Sequence, residues 1–363
     1  MSPSIPPAEP EGAHGPVAKA DDRLLLAVAG DNTKTDVAIL EPDGTLRAAV
    51  RGAGASPDLL GLAGCVEALG ATIERAWGDA RMGVVPRRAG TGLYFLAGVN
   101  SEAMEARLAG AIAQHGWSER THVANDVFAT LWAANGRGEG VAVVVGAGIN
   151  CVGQLSSGAT ARFACLGPLS GDAGDGHSLA TAAVAAAVRA EDGRGSPTSL
   201  CRLLAQYFGM CTATEVAIAF HDGEIDAIRL LDVVPLVVHA AAARDTIAEE
   251  LLDRHSTEVA GYVIAAARRL DVGDQVFDAV LAGSMMDQRW LPVSVAGIRT
   301  RLAAALPHAR VTISADLPVV GAALACLAAV GAGPRAAEHL RGQLVAERLH
   351  VVGGSAFFSL PGQ

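Results

Sequence analysis

The chain has 363 residues, a length that favours two domains over one. Hydrophobic residues make up 51% of the sequence, enough for a large buried core, and the formal net charge is −10. This acidic balance argues against a nucleic-acid-binding surface, which normally carries a basic stripe, and no apolar run is long enough to predict a membrane span.

The start of the chain and its cysteines predict a cytoplasmic protein. Residues 1–21 are rich in Pro and Glu and lack the apolar centre of a signal peptide, so we expect a disordered tail. The six cysteines form no C-x-x-C pair, which is typical of reduced thiols in a cytosolic protein.

The first half of the folded chain opens with a strand, a turn and a second strand. Apolar runs at 24–28 and 36–40 flank the turn at 29–35, and residues 45–50 predict a third strand. Helical spacing and apolar runs then alternate as helix 59–77, strand 92–98, helix 102–115 and strand 121–124, which ends at Asn125-Asp126.

The second half repeats this opening. Strand 140–145, the glycine-rich turn 146–150 and strand 151–155 form another predicted hairpin, which indicates a duplicated lobe. The remaining predicted elements are a glycine-rich loop at 167–176, helix 178–191, helices within 235–270, strand 276–281, strand 311–314, helix 319–330 and a C-terminal helix at 335–350.

The two hairpin turns are candidate phosphate-binding loops. A tight turn points several backbone N–H groups at one spot, and Thr33, Lys34 and Thr35 add side-chain donors in the first turn. In the second, Gly146 and Gly148 allow a ligand to approach the backbone. Each turn taken alone is equally explained as an ordinary hairpin turn.

Three further segments have both a functional and a structural interpretation. Asp126 is a candidate base for a phosphoryl acceptor or a helix N-cap. Asp172 and Asp175 are candidates for contacting sugar hydroxyls or Mg²⁺, or they cap the following helix. The turn 282–284 after a buried strand has room for adenine or ribose, or it is a plain strand-to-helix turn.

The order of these parts resembles the actin-like kinases. The chain is similar to the BadF/BadG/BcrA/BcrD ATPase family, and within it to N-acetylglucosamine kinases. The stretches that carry the resemblance cover most of residues 23–330 and include GDNTKTDVAILEPDG (30–44), VANDVFATLWA (123–133), GVAVVVGAGINCVG (140–153) and LGPLSGDAGDGHSLA (166–180).

The resemblance implies an α/β fold of two actin-like (ribonuclease H-like) lobes with a nucleotide and sugar cleft between them. It implies an ATP-dependent sugar kinase that uses ATP and Mg²⁺, with Asp126 as the catalytic base and Asp31 at the metal. The implied nucleotide-binding residues are Gly30, Asp31, Asn32, Thr33, Lys34, Gly146, Ala147, Gly148, Asn150, Ala282 and Gly283. The implied substrate-binding residues are Ser56, Asp58, Ala97, Gly98, Asn125, Asp126 and Asp172.

The expected organisation is a tail (1–21), an N-terminal lobe (22–125), a C-terminal lobe (126–333) and a C-terminal helix and tail (334–363). The resemblance implies a homodimer that acts on a small sugar, with N-acetylglucosamine or glucosamine as acceptor, and without nucleic-acid or membrane partners. Other open hypotheses are a kinase for an unusual sugar or cyclitol and an ATPase that activates a radical dehydratase. A fourth is a degenerate, sugar-binding regulator, because Ala29 stands where the family carries an acidic residue.

Overall fold

The computed structural model describes residues 23–80, 87–287, 291–344 and 350–351. The expected tail 1–21 and residues 345–349 of the expected C-terminal helix lie outside this part of the chain. Among the described residues no single helix is both long and apolar enough to cross a membrane. The bent pair Leu200–Phe208 and Ala213–His221 has sufficient length and apolar content only when the two helices are taken together.

In the part of the chain that the structure describes, eleven strands form two sheets. The strands are β1 (Leu25–Gly30), β2 (Lys34–Leu40), β3 (Leu46–Ala53), β4 (Ala89–Leu96), β5 (Ser118–Asn125), β6 (Gly140–Val145), β7 (Ile149–Gln154), β8 (Thr160–Arg162), β9 (Phe277–Ala282), β10 (Ala309–Ser314) and β11 (His350–Val351).

The described residues also form eleven α-helices, with short 3₁₀ helices at Gly167–Ser170, Ala227–Asp232 and Ser284–Met286. The α-helices are α1 (Pro57–Asp79), α2 (Glu102–Ala113), α3 (Asp126–Asn135), α4 (Gly176–Glu191), α5 (Leu200–Phe208), α6 (Ala213–His221), α7 (Val233–Ala242), α8 (Thr246–Arg269), α9 (Pro292–Ala305), α10 (Pro318–Ala329) and α11 (Pro334–Gln343).

The first sheet has the strand order β11-β3-β2-β1-β4-β5. β2 is antiparallel to both β1 and β3, whereas β4 runs parallel to both β1 and β5. β1 is buried along its whole length because helices cover both faces of the sheet, which explains its uninterrupted apolar run.

The second sheet has the order β10-β9-β6-β7-β8. β9 runs parallel to both β6 and β10. The five strands β1 to β5 lie in the order β3-β2-β1-β4-β5, and the five strands of the second sheet lie in the matching order β8-β7-β6-β9-β10. The repeated hairpin in the sequence therefore corresponds to a repeated sheet.

The chain divides into two compact units, and the boundary differs from the expected one. Of the residues that the structure describes, the first unit contains those up to 139, 154–160 and those from 316 onward, and the second contains those in 140–153 and 161–315. α3 belongs to the first unit because it packs against α10 and lies at the end of β5. The expected boundary at 125/126 would have cut this packing.

The contact between α3 and α10 is unusually close. A Cβ atom added to Gly321 of α10 would lie 1.8 Å from the backbone oxygen of Ala129 in α3. α10 also packs on β1. A helix from the end of the chain therefore supports the helix that begins at Asp126.

Candidate functional site

Four segments of the first unit converge where its parallel strands end. Gly30, Leu96 and Asn125 are register partners across β1, β4 and β5, and the backbone N–H of Ala97 donates to the oxygen of Gly30 at 2.9 Å. The N–H of Ala55 donates to the oxygen of Asp31 at 3.2 Å, which brings the start of α1 to the same edge. Ligands of open α/β sheets bind at such an edge.

Asp31 organises the turn between β1 and β2. Its Oδ1 accepts hydrogen bonds from the Thr33 N–H (2.6 Å), the Thr33 hydroxyl (2.7 Å) and the Lys34 N–H (2.8 Å). Its Oδ2 accepts from Lys34 Nζ at 2.6 Å. Burial opposes ionisation, but the Lys34 charge and these hydrogen bonds together lower the pKa of Asp31. The carboxylate is therefore ionised at neutral pH.

The resemblance implies that Asp31 lies at the metal, and in the structure its carboxylate is paired with Lys34 within the turn. Both of its oxygens already accept hydrogen bonds within the turn, and the paired Lys34 ammonium repels a cation. Among the described residues, no three His, Cys, Asp or Glu side chains are grouped closely enough to hold a metal ion. Asp31 also shapes the turn through these hydrogen bonds.

Ala29, which stands where the family carries an acidic residue, has an acidic neighbour on the adjacent strand. Ala29 pairs with Asp36 across β1 and β2, and cross-strand partners point to the same face of a sheet. Asp36 is buried and accepts two hydrogen bonds from Arg51, at 2.6 and 2.7 Å. An acidic residue does lie beside Ala29, but its charge is already paired.

Asn125, and not Asp126, is the N-cap of α3. The Oδ1 atom of Asn125 accepts from the Val127 N–H at 3.0 Å, and its Nδ2 donates to Oδ1 of Asn100 at 2.9 Å. The structural explanation of Asp126 as a cap is therefore wrong. Asn125, expected to bind substrate, is buried with its amide engaged in these two bonds.

Asp126 is the first residue of α3 and is only partly buried. Desolvation, followed by the negative charge of Asp31, raises the pKa of Asp126 to about 7, although Lys34 acts in the opposite direction. A helix N-terminus favours the charged form, but the desolvation effect is larger. At neutral pH this carboxyl group is poised to exchange a proton.

The remaining predicted residues of this unit lie around the same edge. Gly98 has φ +79° and follows β4, and an added Cβ would lie 2.7 Å from Oδ2 of Asp58. Ser56 is buried, and its hydroxyl has no hydrogen-bond partner among the described residues. Ala97 is bound to Gly30 by the backbone bond given above, and Asn32 is exposed in the turn.

In the second unit, the turn 146–148 is fixed by the start of α4. The N–H of Gly176 donates to the oxygen of Gly146 at 2.8 Å, and the N–H of His177 donates to the oxygen of Ala147 at 3.2 Å. Nδ1 of His177 lies 3.0 Å from the same oxygen of Ala147, so it carries the proton and donates. This role of His177 is not predicted by any local pattern in the sequence.

The turn after β9 meets the same region. Gly283 has φ +99°, and an added Cβ would lie 2.2 Å from the oxygen of Val145 at the end of β6. A Cβ on Gly146 would lie 3.6 Å from Oγ of Ser284. The predicted phosphate turn and the predicted adenosine turn, Ala282-Gly283, are therefore adjacent.

Asn150 is oriented by two cysteines. Its Oδ1 accepts from the Cys151 N–H at 2.7 Å and from Sγ of Cys165 at 2.9 Å. Cys151 is buried, and desolvation, together with Cys165, raises the pKa of its thiol. Cys151 is therefore protonated at neutral pH.

Asp172 and Asp175 have different roles. Asp175 caps α4 in a reciprocal capping box with Ser178, so the structural explanation is correct for this residue. Asp172 accepts from Gly167 N–H and Ser170 Oγ through Oδ2, and from the hydroxyl of Tyr262 through Oδ1. Tyr262, in the middle of α8, carried no signal in the sequence.

Solved structures with this fold include two from bacteria. A candidate N-acetylglucosamine kinase from Chromobacterium violaceum is 25% identical, with 84% of this chain and 99% of that chain covered and a TM-score of 0.64. A candidate N-acetylglucosamine kinase from Porphyromonas gingivalis is 18% identical, with 83% and 96% covered and a TM-score of 0.56. Among curated protein sequences there is no significant match.

The fold is that of the actin-like α/β ATPases and sugar kinases, as expected from the sequence. The model of the BadF/BadG/BcrA/BcrD ATPase family matches residues 32–326. Because this match covers well over half of the chain, the protein belongs to the BadF/BadG/BcrA/BcrD ATPase family. The predicted class of enzyme, an ATP-dependent carbohydrate kinase, is the class that the family and fold support.

Proposed function

We propose that this protein transfers the γ-phosphoryl group of Mg·ATP to a hydroxyl group of an amino sugar, with N-acetylglucosamine or glucosamine as the acceptor. The observation that carries the proposal is Asp126, a partly buried carboxyl group at the sheet edge whose pKa is raised to about 7. Phosphoryl transfer needs one such base, and its ideal pKa lies near the working pH.

In the proposed step, Asp126 accepts the proton of the acceptor hydroxyl as that oxygen attacks the γ-phosphorus. The bond between the γ-phosphorus and the bridging oxygen breaks, and ADP leaves. The protonated carboxyl group then returns its proton to solvent. Asp31 raises the basicity of Asp126 through its charge, while the Lys34 ammonium of the same turn, which donates one N–H to Asp31, has further N–H groups for phosphate oxygens.

The second unit supplies the proposed nucleotide contacts. Backbone N–H groups of the turn at Gly146, Ala147 and Gly148, with Asn150, bind phosphate, and Ala282 and Gly283 bind adenosine. Support for this assignment comes from the adjacency of the two turns and from the bonds that fix the first one to α4. Mg²⁺ enters with the nucleotide, and Asp31 is the proposed residue of this chain beside it, through water.

The choice of acceptor rests on resemblance and on available side chains. The candidate kinase from Chromobacterium violaceum, at 25% identity, supports N-acetylglucosamine. Ser56 has an unpartnered buried hydroxyl, and Asp58 and Gly98 lie together near it at the carboxyl end of the first sheet. We propose these residues, with Ala97, Asn125 and Asp172, as the acceptor-binding set. The expected homodimer belongs to the same proposal and is tested by light scattering.

The proposal is tested by measuring ADP release with Mg·ATP against a panel of acceptors, with mass spectrometry of the products. The panel contains glucosamine, N-acetylglucosamine, glucose, N-acetylmannosamine and cyclitols. We expect ADP release that depends on an amino sugar and yields its phosphate. ADP release that depends only on a cyclitol would show that the acceptor is a cyclitol and not an amino sugar. ADP release that needs no acceptor would contradict the proposed kinase activity.

A degenerate, sugar-binding regulator is the second candidate. The observation that favours it is Ala29, whose acidic neighbour Asp36 is already paired with Arg51. Calorimetry with the same sugars separates the two proposals. Sugar binding without ADP release under any divalent metal would favour the regulator.

A further inference from the structure

The loop from residue 165 to residue 174 has an unusual backbone. Four of its residues have φ in the left-handed region: Cys165 (50°), Gly167 (65°), Gly171 (75°) and Gly174 (85°). Three are glycines, which tolerate this conformation, but Cys165 is strained there. Such a backbone keeps one shape only where specific hydrogen bonds hold it.

The carboxylate of Asp172 supplies those bonds. Its Oδ2 accepts from the Gly167 N–H at 2.8 Å and from Ser170 Oγ at 2.7 Å, and the Asp172 N–H donates to the Gly167 oxygen at 3.1 Å. One side chain therefore ties both ends of the 3₁₀ turn together. Its position in turn depends on what holds Oδ1.

Oδ1 accepts a 2.5 Å hydrogen bond from the hydroxyl of Tyr262, which lies 90 residues further along the chain. The ring of Tyr262 packs edge-on against Phe163 with centroids 5.1 Å apart, and the Arg269 guanidinium lies 5.1 Å from the Phe163 ring centre. The Tyr262 backbone oxygen accepts from Sγ of Cys151. A rigid helix therefore fixes this hydroxyl.

We propose that Tyr262 is a positioning residue for acceptor binding: through Asp172, its hydroxyl holds the 165–174 loop in the shape that binds the sugar. This inference rests on the proposed function, because Asp172 belongs to the proposed acceptor-binding set. The turn at 146–148 is bound to the start of α4, and Ala282 pairs with Val144 of β6. One nucleotide contact, the Asn150 side chain, accepts from Sγ of Cys165 in the loop. Loss of the Tyr262 hydroxyl, which acts at Asp172, should therefore affect the acceptor far more than the nucleotide.

The test is the Tyr262→Phe variant, which removes only the hydroxyl group. Loss of one hydrogen bond to a carboxylate should raise the KM for the acceptor about tenfold or more. We expect KM for Mg·ATP and kcat to stay within about twofold of the wild type. Tyr207→Phe is the matched control, since Tyr207 lies in α5 against Phe208 and Arg229.

A double-mutant cycle shows whether Tyr262 acts through Asp172. In an Asp172→Asn background, Tyr262→Phe should raise the acceptor KM much less than it does in the wild type. Equal effects in both backgrounds would overturn the inference. An equal rise in the KM for Mg·ATP, together with a lower melting temperature, would also overturn the inference. That pattern indicates a general structural role of Tyr262.

Hydrogen exchange separates this inference from the proposed function. Tyr262→Phe should speed exchange in peptides that contain the Gly167 and Asp172 amides and leave α4 unchanged. If the wild type shows no acceptor-dependent ADP release, the proposed function fails and the role in acceptor binding fails with it. If the wild type is active and both exchange and acceptor KM are unchanged in Tyr262→Phe, this inference alone fails.

Discussion

At the scale of single residues, the arrangement of Asp31, Lys34 and Asp126 sets one proton equilibrium. Asp31 is ionised because the turn surrounds it with donors, and its charge adds to the desolvation that raises the pKa of Asp126. Lys34 has the opposite effect on Asp126. The chain therefore adjusts the pKa of the proposed base with charges from the neighbouring turn.

Opposite substitutions in this turn should move the pH dependence in opposite directions. The acid limb of kcat/KM for the acceptor is expected near pH 7, because the base must lose its proton before the reaction. Asp31→Asn removes a negative charge and should shift this limb to lower pH, whereas Lys34→Met should shift it to higher pH. Both profiles are measured by ADP release with saturating Mg·ATP.

If both variants keep the wild-type limb, Asp126 is not the group that titrates. Asn at position 31 keeps an acceptor for the Thr33 and Lys34 amides, so the turn itself should survive the substitution.

At the scale of elements, α3 and α10 approach so closely that position 321 has no room for a side chain larger than that of glycine. Gly321→Ala places a methyl group 1.8 Å from a backbone oxygen that cannot move without shifting the helix. We expect a loss of stability of about 2 kcal/mol or more, as found for overpacked cores. The measurement is the midpoint of urea unfolding.

Gly110→Ala in α2 is the matched control. An added Cβ there meets no atom within 4 Å, so the exchange should be neutral or stabilising by about 0.5–1 kcal/mol, the usual difference between Ala and Gly in a helix. Equal midpoints for the two variants would show that α3 and α10 are not packed as described.

The elements were largely predictable from local sequence, and their long-range partners were not. The strands of both hairpins are apolar runs separated by short turns, and the sequence places them within a few residues of their observed ends. The partnership of Asp172 with Tyr262 spans 90 residues, so no local pattern indicates it. The cap at Asn125 instead of Asp126 likewise depends on a shift of one residue at a helix start.

At the scale of the whole molecule, a buried histidine gives the second unit a pH-dependent stability. His255 of α8 is buried, with Nδ1 2.5 Å from Oγ of Ser294 in α9 and Nε2 without a partner among the described residues. Burial lowers the pKa of His255 from 6.5 to about 4. The unfolded chain therefore binds this proton more readily than the folded one.

Stability of the second unit should therefore fall as the pH is lowered from about 6.5 to about 4. In this window the unfolded state binds more protons, and the full effect is about 3 kcal/mol for a shift of this size. Hydrogen exchange of α8 peptides measures it for this unit alone. His255→Gln should remove most of the difference, and an unchanged pH dependence in that variant would contradict the role of His255.

The division into two units was only partly visible in the sequence. The repeated hairpin indicated two lobes, and the two sheets have the same strand order. The return of residues from 316 onward to the first unit was not predictable, since α10 is an apolar helix that any core would accept. Its position follows from the small residues that let it approach α3.

The proposed role of Asp126 as the catalytic base is tested most directly by comparing the Asp126→Asn variant with the wild type. We expect sugar affinity, measured by calorimetry, to stay nearly unchanged, because Asn keeps the size and polarity of the side chain. Turnover, measured as sugar phosphate formed with Mg·ATP, should fall by roughly 10²- to 10⁴-fold, the usual contribution of a positioned base. Turnover near that of the wild type would contradict the assignment of Asp126 as the base.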